Sequence, residues 1–216
     1  MFLRSADHNA MSPVPLPLRC PGCGRESTFD PIPNFPDHIV DGSRFVGHRR
    51  CPSPACRTHV FVVWEMPQNV LASYPPQTID FDKTDIPAPV VSCFEEVIKC
   101  QANECHRAAA MMVRKTLEVL CADRNADGAT LSDRIQALRT KVVLPEALLQ
   151  ALDALRLLGN DAAHIDARTY SDVGDSEVKA GIALAKEILK AVYQFDALVR
   201  QLAALRKAGA PSSSTI

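Results

Sequence analysis

The chain has 216 residues, of which 47% are apolar and 23% charged, and its formal net charge is −1 at pH 7. This composition supplies a packed core and excludes wholesale disorder, while the neutral balance argues against a protein that coats nucleic acid through charge alone. The length predicts one ordinary domain plus a small module. Because the sequence contains neither a secretory leader nor an apolar run of about 20 residues, we expect a cytoplasmic protein that does not bind a membrane.

The first third of the chain is predicted to contain three segments. Residues 1–18 contain several prolines and no periodic apolar pattern, so we expect a flexible arm. Residues 19–66 carry paired cysteines and alternating stretches such as "HVFVVWEM", which predict a small β module. Residues 67–89 contain a proline cluster and predict an extended connector.

Beyond the connector the apolar pattern is helical, and residues 90–207 are predicted to form a bundle of about five helices, followed by a flexible tail at 208–216. Thr130, followed three residues later by Asp133, is typical of a capping box that opens one of these helices. The last helix carries an apolar stripe wide enough for neighbours on two sides, one of which can be a second copy of the chain. The predicted fold class is therefore mainly α, with a small β module in front of a helical bundle.

The β module contains four cysteines that occur as two pairs: Cys20, Cys23, Cys51 and Cys56. The "CPGC" pair forms a tight turn, and the second pair follows after enough chain for a β-hairpin. Four thiolates at this spacing are typical of a structural Zn²⁺ site, whose tetrahedral coordination is closed. A module this small cannot bury a sufficient core, so the Zn²⁺ would supply folding energy. The wider gap in the second pair leaves His48 or His59 as an alternative fourth ligand.

The stretch "ALRLLGNDAAH" places three polar side chains at four-residue steps: Arg156, Asn160 and His164. On a helix all three share one face at the edge of the apolar stripe. An imidazole moves protons near neutral pH and a guanidinium holds phosphate, so this set fits metal-independent cleavage of RNA. The spacing by itself favours a structural alternative, in which Arg156 pairs with a carboxylate such as Glu118 and the other two residues cap the helix.

Together with "MMVRKTLEVLC", "SYPP" and "DIPAPVVSCFEE", the "RLLGNDAAH" run resembles an uncharacterised bacterial helical domain, found alone or fused to restriction-endonuclease subunits, that is similar to the HEPN superfamily. The resemblance covers about residues 72–200. It implies a helical bundle that dimerises and brings two arginine–histidine motifs together, in many members as a ribonuclease of a defence system. A zinc ribbon in front of the domain is a frequent companion.

In HEPN nucleases about four to six residues separate the arginine from the histidine, whereas seven lie between Arg156 and His164, and Asn160 matches only a polar position inside the motif. Arg114 and Glu118, one helical turn apart, either complete the pocket or form an i, i+4 ion pair. We therefore expect a homodimeric protein that binds RNA, a nucleotide or a partner protein in bacterial defence. The alternative is a metal-independent endoribonuclease that uses the arginine, asparagine and histidine.

Overall fold

The computed structural model describes residues 10–164, 169–170 and 172–208. The chain divides into two compact units between Asp80 and Phe81, which we call the β unit and the helical unit. About 47% of the structure is helical and about 19% is strand, and the β unit contains a seven-stranded antiparallel sheet over residues 10–74. The prediction of a mainly α protein with a small β module is therefore wrong, because the sheet is a substantial part of the fold.

The described strands of the β unit are β1 (Ala10–Met11), β2 (Leu16–Arg19), β3 (Glu26–Pro31), β4 (Asp37–Asp41), β5 (Arg44–Arg50), β6 (His59–Glu65) and β7 (Asn69–Tyr74). Strand β5 is central, since β6 pairs along its whole length on one edge. Its other edge is shared by β4 near the start and β3 near the end. Strands β1, β2 and β7 extend the sheet from β4, β3 and β6 respectively.

The sheet is larger than predicted because it includes segments whose prolines suggested irregular structure. Strand β1 and most of β2 lie in the predicted arm, and β7 lies in the predicted connector. In β2, the buried Leu16 and Leu18 flank Pro17, which pairs with Thr28 of β3. Because β2 ends the path of paired strands, the missing N–H of proline costs little there. Pro75 follows β7 directly and ends that strand instead of preventing it.

The core of the β unit combines apolar side chains with one buried ion pair. Its buried apolar members include Leu16, Leu18, Phe29, Phe45, Val60, Val62 and Trp64. The fully buried Arg49 and Asp37 form a bidentate pair, with 2.8 Å between Nη1 and Oδ1. Trp64 Nε1 also donates to Asp37 Oδ2 at 3.0 Å, and Arg49 Nε donates to Val14 O at 2.8 Å. The buried charges are therefore compensated by hydrogen bonds.

The described helices of the helical unit are α1 (Ala88–Ala102), α2 (His106–Asp123), α3 (Leu131–Leu138), α4 (Glu146–Ala163), α5 (Asp175–Leu189) and α6 (Phe195–Ala208). Helix α2 packs against both α1 and α4, and the predicted capping box opens α3, with Thr130 Oγ1 accepting from Asp133 N at 3.2 Å. None of the helices in the described part of the chain combines the length and apolar character that a membrane span requires.

A π-helical turn (Lys190–Gln194) joins α5 to α6 without a break. Arg124, which follows α2, donates from Nη2 to Val192 O at 2.8 Å, and its guanidinium lies 4.4 Å above the Tyr193 ring. The Tyr193 hydroxyl in turn donates to Asp123 Oδ2 at 2.9 Å. The widened turn is thus held against the end of α2, and the single long helix that the apolar pattern predicted is divided in two.

Candidate functional site

Two hairpin turns of the β unit carry the four paired cysteines. The β2–β3 turn is closed by a hydrogen bond from Cys20 N to Arg25 O, and the β5–β6 turn by one from Cys51 N to Thr58 O, both at 2.9 Å. A Cβ atom at Gly22 would collide with Thr58 Oγ1, so glycine allows the two turns to approach each other. The local sequence of each turn therefore positions one pair of thiols beside the other.

The four sulfur atoms of Cys20, Cys23, Cys51 and Cys56 all lie within 4.8 Å of one another. The Sγ atoms of Cys20 and Cys56 are 3.6 Å apart, and those of Cys23 and Cys51 are 4.0 Å apart. A tetrahedral metal ion with bonds of about 2.3 Å separates its sulfur ligands by about 3.8 Å. The four cysteines are therefore placed to bind one metal ion, with Cys56 rather than His48 or His59 as the fourth member of the group.

The environment of the thiols differs across this cluster. Cys20 and Cys51 are buried, and burial raises the pKa of Cys51. Cys56 Sγ lies 3.0 Å from Thr58 Oγ1, and this hydrogen bond lowers the pKa of Cys56 to about 6. Because thiolates rather than thiols bind metals, a hydroxyl donor beside one sulfur supports the anionic form of the cluster.

A second feature of the β unit is a line of four rings across its sheet, which we call the aromatic row: Phe35, His48, Phe61 and Tyr74. Their successive ring centroids are 5.8, 5.5 and 6.4 Å apart. His48, Phe61 and Tyr74 are register partners on β5, β6 and β7, while Phe35 comes from the loop before β4. Phe35 and Tyr74 are each 53% exposed, His48 is exposed and Phe61 is half-buried.

A guanidinium and an imidazole lie next to the aromatic row. Arg50 and His59 are register partners two residues away from His48 and Phe61 on β5 and β6, which places them on the same face as those two rings.

Sequence reasoning missed the aromatic row because the row depends on the pairing of three strands, the third of which fell in the predicted connector. The signal that was available is the alternation that directs Phe61 away from the buried Val60 and Val62.

The three polar residues predicted as a chemical site have different surroundings. Arg156 Nε donates to Asp153 Oδ1 at 3.2 Å, within its own helix. Asn160 accepts through its backbone oxygen from His164 N at 3.1 Å. His164 is the first residue after α4, and its extended backbone (φ −116°, ψ 139°) leaves its side chain exposed. Arg156 and Asn160 thus share α4, whereas His164 leaves the helical ridge.

The predicted supporting residues form an ion pair, with 3.6 Å between Arg114 Nε and Glu118 Oε1. A Cβ atom at Gly159 would collide with Arg114 Cβ, so α2 and α4 approach each other closely at this glycine.

The sequence interpretation also missed Asp161, a buried carboxylate whose Oδ2 accepts from the backbone N–H groups of Thr169 and Tyr170, both at 2.9 Å. Asp161 therefore holds Thr169 and Tyr170 against the end of α4.

The fold and its cysteine cluster define a protein of two units, in which a β unit with a candidate metal site precedes a helical unit. Residues 95–208, a little over half of the chain and most of the helical unit, match the family described as Domain of unknown function (DUF4145). The chain therefore belongs to this family. No curated protein and no solved structure shows a significant match to it.

Proposed function

We propose that the protein binds single-stranded nucleic acid through the aromatic row, on a sheet that a structural Zn²⁺ ion holds in shape. The observation that carries the proposal is the alignment of Phe35, His48, Phe61 and Tyr74, with three of the four rings exposed. Each unpaired base offers a flat face to such rings, and stacking of one base contributes about 1–3 kcal/mol. In a duplex these faces are covered by neighbouring bases, so the row fits a single strand.

The charge distribution fits this mode of binding. Proteins that bind single strands combine stacking rings with cationic groups that meet the phosphates, and the cationic Arg50 lies beside the row. The chain as a whole is nearly neutral, so stacking rather than counterion release supplies most of the affinity. We therefore expect binding that weakens only modestly as salt is added.

The choice of Zn²⁺ follows from the ligands. Four thiolates at tetrahedral spacing, without a ligand position left open, favour zinc in a structural role. In this role the ion joins the β2–β3 turn to the β5–β6 turn and so supports the strands that carry His48 and Phe61. The closeness of the four cysteines supports the zinc ribbon that their spacing predicts.

The resemblance of the helical unit to HEPN domains favours RNA as the single strand that is bound. The same resemblance supports a role in bacterial defence. Between the two activities that this resemblance implies, the contacts favour binding over cleavage. The Arg156 guanidinium is engaged by Asp153, and His164 lies outside the helix that carries Asn160. A catalytic pair would need both side chains directed at one phosphate.

The test measures binding of the zinc-loaded full-length protein to a fluorescent oligouridine of about 12 nucleotides, a length within the range that one small β domain covers. We expect Tyr74→Ala and Phe35→Ala each to weaken binding about 5- to 150-fold, while Tyr74→Phe retains it. Met66→Ala removes an exposed apolar side chain outside the row and serves as the matched control. Unchanged affinity of both alanine variants, or no binding of the parent to RNA or single-stranded DNA, contradicts the proposal.

A further inference from the structure

The turn between α1 and α2 brings together two cysteines that lie outside the candidate metal site. Helix α1 ends in a Schellman motif, which consists of two backbone hydrogen bonds around a residue in the left-handed region. Cys105 N donates to Cys100 O at 2.9 Å. Glu104 N donates to Gln101 O at 2.9 Å, and Glu104 has a φ of 58°. The first and last side chains of this motif are frequently in contact, and here both are cysteines.

The backbone hydrogen bond also limits how far apart the two cysteines can lie. With 2.9 Å between Cys105 N and Cys100 O, ordinary bond lengths keep the two Cα atoms within about 6.8 Å of each other. Disulfides join residues whose Cα atoms are about 4.4–6.8 Å apart. Because α1 and α2 pack against each other, the turn between them is held in this conformation. The pair therefore lies within the range that a disulfide spans while the backbone keeps its place.

The two thiols differ in their exposure to solvent. Cys105 is exposed, whereas Cys100 is half-buried, and burial raises the pKa of Cys100. The neighbouring Cys105 raises the pKa of Cys100 further, because two thiolates close together repel each other. Cys105 Sγ donates only a weak hydrogen bond, to Asn103 O at 3.5 Å. An oxidant in solution therefore reaches Cys105 directly, and Cys100 is a neutral thiol next to it.

We propose that Cys100 and Cys105 form a redox-responsive dithiol, which hydrogen peroxide converts into an intrachain disulfide. The Cys105 sulfur attacks the peroxide, so that an S–O bond forms and the O–O bond breaks. This step gives a sulfenic acid, and the second oxygen leaves as water with the proton of the thiol. The Cys100 sulfur then attacks the Cys105 sulfur, and the S–O bond breaks with loss of a second water that takes up the Cys100 proton. Two electrons pass from the thiols to the peroxide.

The disulfide joins the last turn of α1 to the residue that precedes α2. Since the bond closes a ring over residues 100–105 alone, it restrains this turn and requires no rearrangement of the helices. The inference does not depend on the proposed function, because that function concerns the aromatic row of the β unit. Failure to form the disulfide leaves the aromatic row intact, and loss of nucleic-acid binding leaves the dithiol intact.

The test is a stepwise titration of the zinc-loaded full-length protein with hydrogen peroxide. The remaining thiols are then alkylated with iodoacetamide and mapped by mass spectrometry. Trypsin cleaves after Lys99 and Arg107, so both cysteines fall in one peptide, residues 100–107. We expect this peptide to become two hydrogen atoms lighter and to escape alkylation, at peroxide concentrations that leave Cys93 and Cys121 alkylated. Dithiothreitol should restore both alkylation sites.

Two serine variants separate the roles of the cysteines. Cys100→Ser leaves Cys105 without a partner, so the disulfide is lost and dimedone should capture the sulfenic acid. Cys93→Ser changes a half-buried cysteine on the same helix and is expected to form the disulfide as the parent does. Circular dichroism checks that both variants are folded.

A parent protein whose 100–107 peptide stays doubly alkylated throughout the titration overturns the proposal. Oxidation of Cys105 to a sulfinic acid, or its linkage to another chain in place of Cys100, overturns it as well.

Discussion

The two units use cysteine in different ways. The β unit gathers its four cysteines within 4.8 Å, whereas those of the helical unit form no candidate metal-binding group among the described residues: Cys93, Cys100, Cys105 and Cys121. Of these, Cys121 is buried, and burial raises its pKa to about 11, which keeps it a neutral thiol. In the proposed function a Zn²⁺ crosslink supports the β unit, whereas apolar packing supports the helical unit. Perturbing each support should therefore affect one unit and spare the other.

Removal of the metal should have the largest effect. Structural Zn²⁺ contributes roughly 10–16 kcal/mol of binding energy in small zinc domains, so chelation or Cys51→Ser is expected to unfold the β unit. Trp64 is the one tryptophan of the chain and lies buried in that unit, so its emission should shift to the red. The helical circular dichroism signal should persist.

The matched control for this experiment is Cys93→Ser, which changes a half-buried cysteine of the helical unit and should leave the Trp64 emission unchanged. If the Trp64 emission also stays unchanged after mass spectrometry verifies complete removal of metal, the crosslink is not what supports the sheet.

The buried ion pair of the β unit should give the next largest effect. Asp37→Ala leaves the Arg49 guanidinium buried without its counter-charge, which costs about 3–5 kcal/mol in comparable sites. Chemical denaturation followed through Trp64 measures this loss. Removing both charges, in Asp37→Ala with Arg49→Met, should recover much of the stability. A double variant that is as unstable as the single one would show that the loss comes from packing rather than from the unpaired charge.

The smallest effect is expected at the start of α3 in the helical unit. Thr130→Ala removes the capping hydrogen bond and should destabilise the helical unit by about 1 kcal/mol at pH 7. The hydrogen bond from Thr130 holds the pKa of Asp133 below its usual value. The stability that this hydrogen bond contributes is present above the usual carboxyl pKa, and it is lost as the pH falls through the lowered pKa of Asp133.

Thermal unfolding of the parent and of Thr130→Ala at pH 7 and at about pH 3 checks this linkage. The difference between the two proteins should shrink on acidification. A difference that is equal at both pH values would show that Asp133 does not contribute through its charge.

The features that sequence reasoning found are those that local chemistry determines. The cysteine turns and the capping box each depend on a few adjacent residues, and the stripe that includes Val113 and Leu117 depends only on helical period. Strands β2 and β7 were missed because the prolines within or beside them suggested loops. The aromatic row was missed because it depends on register, which joins His48 to Phe61 and Phe61 to Tyr74 across three strands.

The π-helical turn gives one continuous run of chain two separate orientations. This turn holds one more residue than an α-helical turn, so the side chains after it are rotated by on the order of 100° from where a regular α-helix of the same sequence would place them. Ile182, Ala185 and Leu189 point into the bundle before the turn, whereas Phe195 and Leu202 point to solvent after it. Deleting a single residue between positions 190 and 194 would replace the π-helical turn by a regular α-helical one and leave the downstream side chains in their present orientation. The π-helical turn therefore sets the orientation of α6 about its axis while it keeps the helix continuous.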